Sequence, residues 1–284
     1  MEKQPVSNFK RNTGSIKQFC LLGLILTWSG VLWGQKYFSG RKEWGAVVGV
    51  SNYYGDLSQG QNLKHFHLSY GAYYKRNLSN YFAWRNQISF LEISGTTDGN
   101  PNLQFQNLNF QTKIYEYSSM LNFDFKAFGT NINNNTSTPY ALIGLSGYMF
   151  DPYRLDKEDV NLRVLNTENR NRNYSRLQMS VPLGLGFKVR SSHTKNRGAW
   201  IFGVEAIWRK TFMDKLDDVD GVYPDYAKMK KEKSEGSAQY SQAQTLNGQP
   251  VLAAGTYRGS SHLNDWYYFY GFNLSYRFTP LICR

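Results

Sequence analysis

The sequence predicts an all-β fold, an eight-stranded antiparallel transmembrane β-barrel with long external loops, and three observations predict it. Apolar and polar residues alternate with period two in most of eight stretches, the pattern of a strand whose two faces meet different surroundings. Aromatic residues make up 16% of the chain while mean hydropathy is only −0.55, which suits a barrel in lipid because only alternate residues need be apolar. The connections between the stretches also alternate short and long, as periplasmic turns and external loops do in outer-membrane barrels. With 284 residues and no proline-rich or serine-rich linker, residues 35–284 are read as a single barrel domain.

Ahead of that domain, Lys10, Arg11 and Lys17 precede an apolar run from Phe19 to Trp33, followed by Gly34 and Gln35. This order predicts a secretory signal peptide over residues 1–34, cut after Gly34. The run is shorter than the roughly 20 residues a spanning helix needs. Cys20 opens the run, whereas a lipoprotein signal needs its cysteine at the end, so lipidation is not expected.

The first strand spans Trp44 to Tyr54, with Trp44, Ala46, Val48 and Val50 on one face and Gly45, Val47, Gly49 and Ser51 on the other. The second, Phe66 to Lys75, sets Phe66, Leu68, Tyr70, Ala72 and Tyr74 against His67, Ser69, Gly71, Tyr73 and Lys75. The third, Tyr81 to Ile93, has Phe82, Trp84, Ile88 and Phe90 outward, with Asn86 breaking the set. A polar loop, Gly95 to Phe110, leads to the fourth, where Tyr115, Tyr117, Leu121, Phe123 and Phe125 oppose Glu116, Ser118, Asn122, Asp124 and Lys126. The fifth, Tyr140 to Phe150, leaves its faces unassigned because Leu142, Ile143 and Leu145 fall on both. The sixth sets Leu177, Met179, Val181, Leu183, Leu185, Phe187 and Val189 outward. The seventh has Trp200, Phe202, Val204, Ala206 and Trp208 outward. The eighth, Trp266 to Phe278, ends on an aromatic, which looks like the signal read by the barrel-insertion machinery.

Eight strands make the smallest bacterial barrel, whose interior is filled by side chains. Lys75, Arg85, Glu116, Asp124, Lys188, Glu205, Arg209 and Arg277 fall on inward positions and are expected to fill it as paired charges. The short connections follow strands two, four and six. The chain is therefore expected in the cell outer membrane with both termini periplasmic.

Candidate chemistry is sparse, and no cofactor is expected. Asp217, Asp218, Asp220, Gly221 and Asp225 suggest a calcium loop, but EF-hand spacing would put Leu216 at the first ligand and Ala227 at the bidentate acid, so both ends fail. A solvated loop or a turn packed on the barrel rim fits better. Asp217 and Asp218 lie just beyond Arg209 and Lys210 and are expected to fold back onto basic residues at the rim, and replacing both by Asn is expected to lower heat resistance. His67 and Ser69, two residues apart on one face, carry an enzyme alternative, a histidine activating a serine toward lipid A; Leu68 and Tyr70, however, occupy the lipid side. No Cys and His cluster has metal spacing. Beyond residue 34 the chain holds 29 basic and 20 acidic residues, spread through strands and loops rather than clustered with exposed aromatics, so nucleic-acid binding is not expected.

Four segments carry a family resemblance: SNYYGDL (Ser51 to Leu57), Pro139 and Tyr140, PLGLGFK (Pro182 to Lys188) and, most specifically, WRKTFMDKLDDVDGVYPD (Trp208 to Asp225). On these the chain resembles the PorG family, outer-membrane barrel components of the type IX secretion system. The structural motif would comprise Trp208, Arg209, Asp217, Asp218, Gly221, Tyr223 and Asp225. The resemblance implies a non-enzymatic subunit of a Gram-negative protein-secretion machine that associates with a periplasmic ring of a lipoprotein and its partner, with no small-molecule substrate. A simple anchoring or adhesion barrel is the other alternative, and residues 228–262 are unmatched. Cys283 is the single cysteine beyond residue 34, and a lone thiol in an oxidising compartment is either shielded by burial or by a partner, or bonded to another chain; the bond is the expectation, and in this reading the other chain is a ring subunit.

Overall fold

The computed structural model describes residues 41–57, 65–97, 106, 108–128, 135–155, 157–169, 173–191, 198–213, 215–219, 221–241, 245–246, 249–250, 252–259 and 264–278. The segment expected to be a signal peptide, 1–34, together with Asp220 and Cys283, lies outside these residues. The strands are β1 (Lys42–Tyr54), β2 (His67–Asn77), β3 (Phe82–Thr96), β4 (Asn109–Asp124), β5 (Ser137–Arg154), β6 (Lys157–Asn161), β7 (Leu177–Arg190), β8 (Ala199–Thr211), β9 (Gly221–Val222), β10 (Thr245–Leu246), β11 (Gln249–Pro250), β12 (Tyr257–Gly259) and β13 (Trp266–Arg277). Three short helices, α1 (Leu162–Leu165), α2 (Tyr226–Glu232) and α3 (Glu235–Ser241), sit in the loops.

Eight strands close into an antiparallel barrel in the order β1-β2-β3-β4-β5-β7-β8-β13, with β13 returning to β1 and β6 extending β5. Each neighbour in sequence is a neighbour in space, and closure satisfies every edge, as lipid requires. The register places Glu43 opposite Arg277 and Tyr54 opposite Trp266 across the seam.

The outer surface is the apolar face read from the sequence. Val48, Ile88, Ile143, Leu185, Val204 and Phe272 are exposed along its middle. Aromatic rings gather at both edges, Trp44 with Tyr74 at 5.1 Å and Trp200 with Tyr276 at 5.1 Å at one, Tyr54 with Tyr268 at 6.3 Å and Trp208 with Tyr270 at 6.5 Å at the other. An apolar band between two aromatic girdles belongs to a membrane-spanning barrel. Asn86, which interrupted the pattern, lies on this face with its amide oxygen taking the Tyr117 hydroxyl at 2.9 Å.

Strand β5 proves regular. Leu142 points inward at 3% exposure and Ile143 outward at 54%. The sequence hides this because an inward leucine replaces the expected polar residue. The room comes from β7: a side chain at Gly186 would stand 2.4 Å from the ring of Tyr140, and one at Gly184 2.9 Å from Leu142. Strands β3, β4 and β5 also run longer than the sequence suggests, so the supposed loop from Gly95 to Phe110 loses both ends to sheet. Lys126 lies beyond β4 and is exposed rather than inward.

The interior is filled by ion pairs in three levels. Where β1 begins and β13 finishes, the terminal end, Glu43 takes Lys75 and Arg277, and Lys188 meets Asp124 at 2.7 Å. Midway, Arg85 grips both oxygens of Glu205 at 2.8 Å, which also accepts from Tyr140 and Asn273. Toward the opposite, loop end, Arg209 Nε reaches Glu116 at 2.8 and 3.0 Å, with the Tyr267 hydroxyl on the same carboxylate at 2.6 Å. All eight inward charges expected from the sequence are paired. Glu43 was missed, although it continues the inward parity of Gly45 and Val47. With the bore crossed at three heights, the purified protein is expected to give no stable large conductance steps in planar bilayers; such steps would show an open lumen.

Candidate functional site

The loop end is closed by a buried clasp, built where the segment following β8 folds back over the mouth. Leu216 and Val219, 0% and 2% exposed, anchor it in the core with Leu57, Ile93, Phe110 and Phe150. Between them the chain turns sharply, with Asp218 at φ 57°, a left-handed conformation that Asp tolerates better than most residues. The Tyr53 hydroxyl at the end of β1 stands 2.7 Å from Asp217 Oδ2 and 2.8 Å from Asp265 Oδ1. Asp217 also accepts from the Val219 amide at 3.0 Å, and Asp265 from the Leu216 amide at 2.9 Å. A side chain at Gly55 would reach within 1.9 Å of the Tyr53 hydroxyl, so this position admits only glycine while the clasp is closed.

Asp218 is held by different groups. Its carboxylate accepts from Thr167 and from Tyr174 at 3.0 Å, and its carbonyl from Arg258 at 3.0 Å. Pairing of β9 with β12 delivers Arg258 to this point. Burial, reinforced by the neighbouring Asp265, pushes the Asp217 carboxyl well above its usual range. Burial and Glu168 raise Asp218 to about 6.

The other motif residues divide among separate tasks. Trp208 faces outward against Tyr270 at 6.5 Å, and Arg209 points into the bore. Gly221 takes φ 66° at the start of β9. Tyr223 is buried beneath Arg258, and Asp225 caps α2 by accepting from Lys228 at 2.9 Å. The expectation that Asp217 and Asp218 fold back onto basic rim residues is met only through the Asp218 carbonyl, which takes Arg258. Arg209 belongs to Glu116, Lys210 lies over the Trp266 ring, and hydroxyls rather than cations hold the two carboxylates. Sequence reasoning missed Tyr53, Thr167, Tyr174, Arg258 and Asp265; of these, only Tyr53 stands in a segment it had singled out. The acids turn toward different partners, and among the described residues no group of three or more His, Cys, Asp or Glu side chains is arranged to hold a metal ion.

The supposed dyad is not formed. Ser69 bonds Ser51 at 2.6 Å inside the barrel, while His67 Nε2 goes to Ser94 at 2.7 Å and its Nδ1 lies 3.4 Å from Glu92. Ser94 is only 1% exposed and is also bonded by His65 at 3.0 Å. Two imidazoles over one enclosed hydroxyl act as a strut joining the β1–β2 connection to β3.

Residues 25–240 match the family model described as a domain of unknown function, DUF6089. The chain belongs to the DUF6089 family. The matched span takes in Tyr53, Asp217, Asp218 and all barrel strands but β13. No curated protein matches this DUF6089 chain. Among solved structures it is similar to Ail, the attachment invasion locus protein of Yersinia pestis, in complex with the heparin analogue sucrose octasulfate. Identity is 11% and the TM-score 0.38, over 85% of this chain and 100% of Ail. It is also similar to Neisserial surface protein A (9%, TM-score 0.37, 82% and 95%) and to the outer membrane protein OprG from Pseudomonas aeruginosa (11%, TM-score 0.33, 85% and 95%).

Proposed function

We propose that this DUF6089 protein is a non-enzymatic outer-membrane subunit of a protein-secretion machine of the type IX kind, with its terminal end periplasmic and engaged with a ring of lipoprotein and partner. The reading is carried by one observation: the SNYYGDL and WRKTFMDKLDDVDGVYPD segments, on which the chain resembles the PorG family, meet in the clasp through Tyr53 and Asp217. A charge-filled bore and an enclosed Ser94 suit a fixed scaffold better than a channel or a hydrolase. The ring contact includes a disulfide from Cys283, which lies outside the described residues.

The test is a pull-down of the intact barrel from its native envelope. A stoichiometric ring partner is expected, and non-reducing gels of membranes with blocked thiols should show a heavier band that vanishes on reduction and in Cys283→Ser. Recovery of the barrel alone would favour a simple anchoring or adhesion barrel. A partner recovered without the heavier band would remove the disulfide and leave a non-covalent contact.

A further inference from the structure

The terminal end of the barrel carries, among the described residues, exposed basic residues without exposed acids. Among the described residues, Glu43 and Asp124 are the acids there, and both are buried against basic partners in the bore. Outside remain Lys42, Arg76 and Lys126, all exposed. Lys42 on β1 stands directly opposite Arg76 on β2, one step beyond the Trp44–Tyr74 pair of the girdle. Opposed like charges weaken a sheet, and neither side chain has a hydrogen bond or ion pair among the described residues. The same row continues into aromatics on both sides: Arg76 is opposite Trp84 on β3, and the Phe278 amide bonds the Lys42 carbonyl at 3.0 Å, with both rings about half exposed. Two unpaired cations on the outer face at the edge of the apolar band, between interfacial aromatics, complement the phosphate of a lipid headgroup.

We infer that Lys42 and Arg76 form a binding site for the phosphate of an anionic phospholipid, phosphatidylglycerol being the probe, in the leaflet at the terminal end. The choice of phospholipid over outer-leaflet glycolipid rests on the proposed periplasmic placement of that end. The two cations clamp the phosphate oxygens, Trp84 and Phe278 flank the glycerol region, and the acyl chains run down the apolar band. An anion between the two cations relieves their mutual repulsion.

Native mass spectrometry of the full-length protein in detergent tests this with phosphatidylglycerol, phosphatidylcholine and bis-phosphorylated lipid A. The wild type should retain phosphatidylglycerol at least fivefold over phosphatidylcholine, falling as salt rises. The Lys42→Gln/Arg76→Gln variant should lose that preference with its heat-resistant folded band unchanged. Lys228→Gln/Lys231→Gln, on exposed α2 positions at the loop end, should keep it. Equal retention of the two phospholipids by the wild type, or unchanged selectivity in the double variant, would overturn the site. Preference for lipid A lost in the double variant would overturn the phospholipid assignment. Loss of a ring partner from that variant with lipid selectivity intact would assign the patch to an acidic protein face instead. Because lipid retention is read on the isolated barrel, its failure is separate from failure of the secretion reading.

Discussion

Arg209→Met is expected to lower the unfolding free energy of the barrel by about 3–5 kcal/mol, the cost of stranding a buried charge. Arg209 and Glu116 are both fully buried, and the guanidinium reaches both carboxylate oxygens. Without it, Glu116 keeps the Tyr267 hydroxyl but no facing cation at that level of the bore. The pair itself adds much less than its rupture removes, because two desolvation costs offset most of the attraction. The variant Arg209→Met/Glu116→Gln should therefore recover most of the loss. Urea unfolding in lipid vesicles, followed by the gel shift between folded and unfolded bands, reads both. A single variant within 1 kcal/mol of wild type would mean that the pair is reached by water and contributes little.

The second large effect concerns Asp217 and acidity. One phenolic proton cannot serve two carboxylates, so the Asp217–Tyr53–Asp265 row closes best with Asp217 protonated, donating to the Tyr53 oxygen while Tyr53 donates to Asp265. This agrees with the raised pKa of Asp217. A carboxyl whose folded pKa lies above its unfolded value stabilises the fold fully below the unfolded value. That contribution disappears as pH climbs through the folded one. For Asp218, raised from 3.8 to about 6, the window runs from about pH 4 to above pH 6, and the change is on the order of 3 kcal/mol. Hydrogen exchange at residues 215–219, corrected for its intrinsic pH dependence, should show protection falling across that window.

Asn at position 217 can present an N–H where the protonated acid presents its O–H. Asp217→Asn should accordingly remove the part of the pH dependence that Asp217 contributes, keep the Asp218 window, and leave the clasp at least as tight as wild type at pH 7. This reverses the expectation drawn from the sequence, in which rim cations held the acids and Asn substitution weakened the barrel. Weaker protection in Asp217→Asn at every pH would restore the ionised reading.

The strands were legible because lipid outside and a polar bore inside impose opposite demands on alternate residues. Trp200, Phe202, Val204, Ala206 and Trp208 against Glu205 and Arg209 state that contrast without any tertiary information. Where the demand relaxes the signal fades, as at Leu142, which packs inward over Gly184. Likewise, β3 and β4 extend beyond the apolar band, where the polar residues from Gly95 to Phe110 resemble a loop although most of their ends are paired.

The clasp was legible only as a list of acids. Local spacing named Asp217, Asp218, Gly221 and Asp225, and could not supply Tyr53 from β1, Thr167 from beyond α1, or Asp265 from just before β13. Those contacts span 164, 51 and 212 residues of sequence for Asp217 with Tyr53, Asp218 with Thr167 and Tyr53 with Asp265. They depend on which strand ends barrel closure brings to one mouth. The sequence by itself determined the barrel, its membrane face and its inward charges, because each follows from the period-two environment of a single strand. Only the tertiary structure decided which charge meets which across the bore and which hydroxyl holds which acid, because burial and partner choice depend on groups that only closure brings together.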